Sequence, residues 1–181
     1  MTTWITLLRG INVSGRNKIK MDALKLLYEN LGFKDVRNYL QSGNIIFRSG
    51  ETDPVRTGNL ISSRLYEVWG MNVPVLALTT GRLDEIFRNN PYLNDNTKDL
   101  AYQYITFLFS DPGEYDRDKL NTARSEWEAF TVKGRAVYLY CPKGYGTTKL
   151  SNTFFEKKLK VPATTRNLKT AGELLRQSLE Y

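Results

Sequence analysis

The sequence contains no histidine and only one cysteine among its 181 residues. The missing histidine excludes Ser-His-Asp and Cys-His nucleophile systems, the usual neutral-pH general base and every metal site that needs an imidazole. The single cysteine excludes all-thiolate zinc and iron–sulfur sites and an intramolecular disulfide. Catalysis is left to carboxylates, Lys, Arg, Tyr, hydroxyl groups and the backbone, and we expect no metal and no cofactor.

Long apolar runs are also missing. No such run reaches 18 residues, and the first ten residues, MTTWITLLRG, lack the basic start and apolar stretch of a signal peptide. Together with the single cysteine, this predicts a cytoplasmic protein that does not use a membrane. The hydrophobic share of 41% and the aromatic share of 12% are typical of a folded chain.

Positive charge is concentrated at the two ends of the sequence. Residues 1–50 carry a net charge of +5, residues 51–130 a net charge of −5 and residues 131–181 a net charge of +7, which gives +7 for the chain. This distribution favours a phosphate-bearing small molecule or a nucleic acid as the partner. Scattered, solvated lysines are the alternative. No feature of the sequence selects an oligomeric state.

The hydrophobic pattern predicts one order of elements twice: strand, helix, strand, strand, helix, strand. In the first half the strands are expected over 4–8, 36–40, 45–48 and 73–79, and the helices over 21–31 and 54–69. The second of these helices is expected to bury a stripe formed by Leu60, Ile61, Leu65 and Val68.

In the second half a helix is expected to open at Asp111-Pro112, and a final helix is expected to open with a capping box from Thr170 to Glu173. The predicted strands are 102–109, 127–132, 136–140 and 162–165, and a further helix passes through 154–159.

The repeated order predicts an α+β fold with two consecutive ferredoxin-like βαββαβ units, antiparallel sheets, a connecting helix and a C-terminal helix. The predicted divisions are 1–80 for the first half, 81–100 for the connecting helix and linker, and 101–181 for the second half.

A basic loop, residues 9–20 (RGINVSGRNKIK), joins the first strand to the first helix and carries four basic residues without an acid. Glycine-rich backbone, a helix N-terminus and cations together favour an anion. Arg16-Asn17 stand where a nucleotide-hydrolysing P-loop needs Lys and a hydroxyl, so that reading is rejected. An ordinary surface loop remains the alternative. The candidate ligand-binding residues here are Arg9, Gly10, Asn12, Lys18 and Lys20.

The segment Gln41-Ser42-Gly43-Asn44 is either a tight turn or a polar recognition site. In a βαββαβ unit the first strand pairs antiparallel with the third. The end of the first strand next to Arg9 therefore lies beside the end of the third strand next to Asn44, if the register is right. Gln41, Ser42 and Asn44 are candidate binding residues on this basis.

Two hydroxyl-rich basic segments near the end of the sequence, residues 143–150 and 164–167, suit either helix capping or phosphate contact. Lys149, Arg166 and Asn167 are the candidates. We hypothesise that the basic segments of the two halves converge on one cleft.

An RNA-recognition module is also a βαββαβ fold. The octapeptide KGRAVYLY at 133–140 keeps the basic start and the last aromatic of its signature, but Arg135 and Val137 stand where stacking aromatics belong. A plain hairpin at Lys133-Gly134 is the favoured reading.

The sequence resembles a bacterial domain-of-unknown-function family, the one numbered 1697. The matching segments are LLRGINVSGRNKIKM at 7–21, YLQSGNIIF at 39–47, NPY at 90–92, GTTKLSN at 146–152 and TTRNLKT at 164–170. The resemblance implies two ferredoxin-like halves. Because the family has no established activity, it implies no catalytic residue.

Arg, Lys, Asn, Ser and Thr gathered at glycine-marked loops favour holding an anion over breaking a bond. The preferred hypothesis is a protein that binds a nucleotide or nucleic acid. The alternatives are an enzyme that acts on a phosphorylated small molecule without histidine or metal, and an interaction scaffold without a ligand.

Overall fold

The computed structural model describes residues 1–181 and has an α+β fold with two four-stranded antiparallel sheets. The strands are β1 (Thr2–Leu8), β2 (Lys34–Tyr39), β3 (Asn44–Ser49), β4 (Val75–Thr79), β5 (Gln103–Leu108), β6 (Ala129–Lys133), β7 (Ala136–Tyr140) and β8 (Ala163–Asn167). The helices are α1 (Met21–Asn30), α2 (Pro54–Trp69), α3 (Thr80–Arg88), α4 (Arg117–Asn121), α5 (Asn152–Leu159) and α6 (Leu168–Ser178).

Both sheets have the ferredoxin-like strand order. The first sheet is ordered β2-β3-β1-β4 and the second β6-β7-β5-β8, and every neighbouring pair is antiparallel. Each sheet therefore belongs to a βαββαβ unit with its first and third strands at the centre. The predicted duplication, the connecting helix α3 and the C-terminal helix α6 are confirmed.

The chain divides into two compact units, residues 1–84 with 173–181, and residues 85–172. In the first, α1 and α2 pack on β1 and β3 around a core that includes Trp4, Leu24 and Ile61. In the second, α4 and α5 pack on β5 and β7 around Leu108, Leu139 and Phe155, among other residues. No helix is both long and apolar enough to cross a membrane.

Helix α2 shows how local sequence sets its ends. The Asp53 carboxylate accepts hydrogen bonds from the amides of Val55 and Arg56, and Pro54 occupies the first turn, where no amide donor is needed. Gly70 ends the helix in the left-handed conformation at φ 67°.

The predicted buried stripe of α2 is wrong at two of its four positions. Ile61 and Leu65 are buried, but Leu60 and Val68 are 45% and 46% exposed. Thr57 and Gly58 take the buried positions instead, because a helix packed closely on a strand favours small side chains at the contact.

Two predicted helix starts are also wrong. Helix α4 begins at Arg117 and is capped by the Asp116 carboxylate, so the segment after Asp111-Pro112 is not helical. Helix α6 begins at Leu168, because the Asn167 side-chain oxygen accepts a hydrogen bond from the Thr170 amide at 2.7 Å. Thr170 therefore lies inside the first turn rather than at the cap.

Candidate functional site

The register of β1 against β3 places the basic loop beside the polar turn, which we define as residues 40–43. Leu7 pairs with Asn44, and the Leu8 amide donates to the Gly43 carbonyl at 2.9 Å. The predicted pairing of these strand ends is thus confirmed. The basic loop and the polar turn, two of the segments singled out from the sequence, therefore meet at one edge of the first unit.

Asn12 connects the loop to the turn with its side chain. The amide nitrogen donates to the carbonyl of Gln41 at 2.9 Å and to that of Ile19 at 3.0 Å, while the amide oxygen accepts from the Ile19 amide at 2.8 Å. These bonds use all the strong donors and one acceptor site of the side chain. Asn12 therefore holds the backbone in place rather than facing a ligand.

Gly43 allows the two segments to approach closely. A Cβ at this position would lie 2.6 Å from Ile11 Cδ1 and 2.8 Å from Leu8 Cβ, and the residue has φ 77°. Both the space and the backbone conformation therefore require glycine.

The loop backbone is held in an unusual shape. Asn12, Ser14 and Asn17 all have φ near +50°, a region that side-chain-bearing residues rarely adopt. The Asn17 amide nitrogen donates to the Gly10 carbonyl at 3.1 Å, and Val13 and Arg16 form a single antiparallel bridge at the tip. Non-glycine residues in this region are enriched where a loop carries function.

Three cations of the loop point into solvent. Arg16, Lys18 and Lys20 are exposed and form no ion pair. Arg9 and Gly10, at the start of the loop, are partly buried. The outer part of the loop thus carries three uncompensated positive charges.

An open depression of about 480 Å³ lies between the start of α1 and the end of β2. It is lined by Lys20, Met21, Asp22, Asn38, Leu40 and Gln41. Lys20 is the N-cap of α1 and its side chain caps nothing, so the first-turn amides have no partner in the protein. These amides and the adjacent lysines give one side of the depression a positive potential.

The residues of the polar turn and the adjoining Asn44 divide into those that support the backbone and those that are exposed. Asn44 is fully buried, and its amide donates to the Tyr39 carbonyl at 2.8 Å and the Ser42 hydroxyl at 2.9 Å. Ser42 and Asn44 therefore hold the turn in shape. Gln41 has an exposed side chain that lines the depression.

The remaining predicted site residues belong to the second unit. Lys149 is exposed, whereas Arg166 is 8% exposed and donates to the Thr164 hydroxyl at 2.8 Å and the Thr165 carbonyl at 2.9 Å. Burial lowers the pKa of Arg166 to about 10, so the side chain stays charged at neutral pH. Asn167 caps α6. The single cleft shared with the basic loop stays a prediction.

The second sheet does not offer a base-stacking surface at the octapeptide 133–140. Tyr138 is 1% exposed and its hydroxyl donates to the Ile86 carbonyl at 2.7 Å, while Val137 and Leu139 on the opposite face are fully buried. The RNA-recognition reading of this strand is wrong, because a base needs an open aromatic face.

The titratable groups of the second unit are engaged in packing or in hydrogen bonds. Burial raises the pKa of the Cys141 thiol to about 11. The Tyr145 hydroxyl accepts from the Asn152 amide at 2.7 Å and donates to the Thr165 hydroxyl at 3.2 Å, and burial raises its pKa. No group of three His, Cys, Asp or Glu side chains is placed to hold a metal ion.

Asn17, Asp22 and Asn38 are site residues that the sequence did not single out. Asn17 carries a usable signal, since asparagine in a glycine-containing loop often takes a positive φ. Asp22 and Asn38 line the depression only because α1 packs beside β2, and no local pattern reports that contact.

Comparison with known proteins identifies a family and a similar solved structure. The family model for a protein of unknown function, DUF1697, matches residues 1–138. The chain is similar to the solved structure of the conserved bacterial protein SP0830 from Streptococcus pneumoniae, with 25% identity and a TM-score of 0.67 over 98% of each chain. No curated protein matches it. Because the family model matches well over half of its length, the chain belongs to the DUF1697 family.

Proposed function

We propose that this protein binds a phosphate-bearing ligand, a nucleotide or a nucleic acid, at the surface formed by the basic loop and the polar turn. The observation that carries the proposal is the arrangement of the loop. The loop carries three unpaired cations, Arg16, Lys18 and Lys20, and Lys20 lies at the uncapped start of α1, where it lines an open depression. Backbone amides and cations that converge in this way suit phosphate oxygens.

The support for the site is a preformed backbone. Asn12, Asn17 and Gly43 fix the loop and the turn through side-chain bonds and close packing. A ligand therefore meets an ordered surface, which lowers the entropy lost on binding.

We assign the phosphate group to Lys18, Lys20 and the α1 amides. Polar groups elsewhere on the ligand are assigned to Gln41 and Asn38. Asp22 is also in the depression and repels a phosphate, so the phosphate is assigned to the lysine side and not to the centre. Binding is favoured over catalysis because the depression is lined by one lysine and one carboxylate, with no second carboxylate or tyrosine to form an acid–base pair with Asp22.

Calorimetric titration with inorganic phosphate, a nucleoside monophosphate, a nucleoside triphosphate and a 12-nucleotide single-stranded RNA tests the proposal. The double variant Lys18→Ala/Lys20→Ala removes two exposed cation contacts and weakens binding about tenfold, at roughly 0.7 kcal/mol for each exposed contact. The control Lys34→Ala/Lys157→Ala makes the same change in net charge at exposed positions away from the loop.

The proposal requires the control to keep the affinity of the unaltered protein. Equal weakening by the two double variants would assign binding to net charge. An absence of binding heat with all four ligands would reject the site.

A further inference from the structure

The two units share a strand order but differ in the helix that follows their first strand. Helix α1 has 10 residues and packs against β2, whereas α4 has 5 residues and packs against α5. The second unit therefore lacks half of the helical cover that the first unit places over the corresponding edge strand.

The missing cover leaves a cavity. In the first unit the edge-strand residue Val36 is 5% exposed and belongs to the core. In the second unit Phe130 and Val132 on the edge strand β6 are only partly buried. A half-open cavity of about 230 Å³ separates them from α4 and the segment before it.

The cavity is lined by apolar and polar side chains, and Arg117 is its one charged residue. Tyr115, the buried Leu120, Phe130 and Val132 form the apolar part of the lining, and Phe130 makes an edge-to-face contact with Phe155 at 5.8 Å. The polar lining residues are Arg117, Asn121 and Thr131.

Arg117 is the charged group that remains available to a ligand. The Thr131 hydroxyl is engaged by the Tyr92 hydroxyl at 2.9 Å, while Arg117 is exposed and forms no ion pair. A guanidinium at the side of an apolar cavity matches a planar carboxylate, because it donates two parallel hydrogen bonds.

The volume of the cavity further narrows the class of ligand that fits. An apolar cavity of about 150 Å³ accommodates a benzene ring, so the additional space here corresponds to a ring with a short substituent. A long aliphatic chain does not fit, and a bare anion leaves the apolar walls without a partner.

We propose that this cavity binds a small aromatic carboxylate, with its ring between Leu120 and Phe130 and its carboxylate on Arg117. The site lies in the second unit and does not depend on the function proposed for the basic loop.

Nitrogen–proton correlation spectra recorded during titration with phenylacetate test the proposal. The expected result is a saturable shift of the amides in 115–121 and 130–132. Phenylacetamide, which has the same shape without the charge, binds about tenfold more weakly because the charge-assisted bonds to Arg117 are lost.

Two variants separate the parts of the site. Arg117→Gln brings phenylacetate binding to the level of phenylacetamide, and Val132→Phe fills the cavity and removes binding of both. Arg56→Gln is the control, since it removes an exposed arginine of α2 and leaves phenylacetate binding unchanged. Spectra of the free variants verify that each is folded.

Shifts that stay outside these two segments, or no shift with any compound, would overturn the cavity as a ligand site. Equal affinity for phenylacetate and phenylacetamide would overturn the assignment of the carboxylate to Arg117. Persistence of binding in folded Val132→Phe would overturn the placement of the ring.

Discussion

At the scale of single residues, Asn12 has the largest structural role in the candidate site. It adopts φ 53° and makes three side-chain hydrogen bonds, one to Gln41 in the polar turn and two to Ile19 within the basic loop. Asparagine suits the position because it tolerates the left-handed conformation and carries both a donor and an acceptor.

Two substitutions of Asn12 separate the contribution of its hydrogen bonds from that of its backbone conformation. Asn12→Gly keeps the backbone conformation and removes the hydrogen bonds, which lowers the free energy of unfolding by about 1–3 kcal/mol. Asn12→Ala adds left-handed strain of about 1 kcal/mol. Denaturant unfolding measures both values, and Asn59→Ala on the exposed face of α2 is the control. A smaller loss in the alanine variant than in the glycine variant would contradict this account.

Cys141 is the one thiol of the chain, and it is fully buried. Burial raises the pKa of the thiol to about 11, so the reactive thiolate is rare at neutral pH. We expect N-ethylmaleimide to leave Cys141 unmodified in the native protein at pH 8 and to modify it completely in denaturant. Intact-protein mass spectrometry reads both states, and rapid native labelling would contradict the buried placement.

At the scale of elements, the contact between α2 and β4 depends on Gly58. A Cβ there would lie 2.4 Å from the Val75 carbonyl oxygen, well inside contact distance, so the helix approaches the strand as closely as backbone permits.

Gly58→Ala therefore destabilises the protein by about 1–3 kcal/mol through overpacking, despite the higher helix propensity of alanine. Gly81 in α3 is the matched control, since a Cβ there meets no atom within 4 Å. Gly81→Ala is expected to raise stability by up to about 1 kcal/mol. Denaturant unfolding of both variants gives the comparison, and a stabilising Gly58→Ala would show that the helix can move away.

The order of elements was predictable because the strands and helices of this protein keep clear hydrophobic periods, and some of them, such as α2 at Gly70, end at glycine. The buried face of α2 was not predictable from the sequence, because this helix carries apolar residues on more than one face and Gly58 gives no hydrophobic signal. The start of α6 was missed for a related reason. Asn167 and Thr170 are both good caps, and only the end of β8 decides between them.

The position of Leu60 on the exposed side of α2 has a measurable consequence. Leu60→Ala changes the free energy of unfolding by less than about 0.5 kcal/mol, whereas Leu65→Ala, at a fully buried position, lowers it by about 2–5 kcal/mol. Urea titration distinguishes the two. A large loss in Leu60→Ala would restore the stripe expected from the sequence.

The candidate site was predictable in place but not in the roles of its residues. Strand pairing alone puts the Arg9 end beside Asn44, and the register confirms it. The sequence could not assign Asn12 and Asn44 to holding the backbone, because their partners are carbonyl groups that any residue supplies.

At the scale of the whole molecule, one topology occurs twice with different helices. The first unit closes its edge strand with the ten-residue α1, and the second leaves a cavity beside the five-residue α4. The repetition of strand order without repetition of residues allows each unit to carry its own candidate site: cations and amides in the first, an apolar cavity with one arginine in the second.

We expect the positive charge at the two ends of the chain to attract polyanions, and salt dependence distinguishes this attraction from binding at the loop. Three phosphate contacts, through Arg16, Lys18 and Lys20, give a slope of about −2 for the logarithm of RNA affinity against the logarithm of salt concentration. Lys18→Ala/Lys20→Ala reduces the slope to about −0.7, because one contact remains. Lys34→Ala/Lys157→Ala keeps the original slope, since neither lysine lies in the loop.

Fluorescence anisotropy with labelled single-stranded RNA from 50 to 300 mM salt, roughly the range over which such slopes are measured, gives the slopes for the unaltered protein and the two double variants. An equal decrease in both variants would mean that the charge of the whole molecule, and not the loop, attracts RNA.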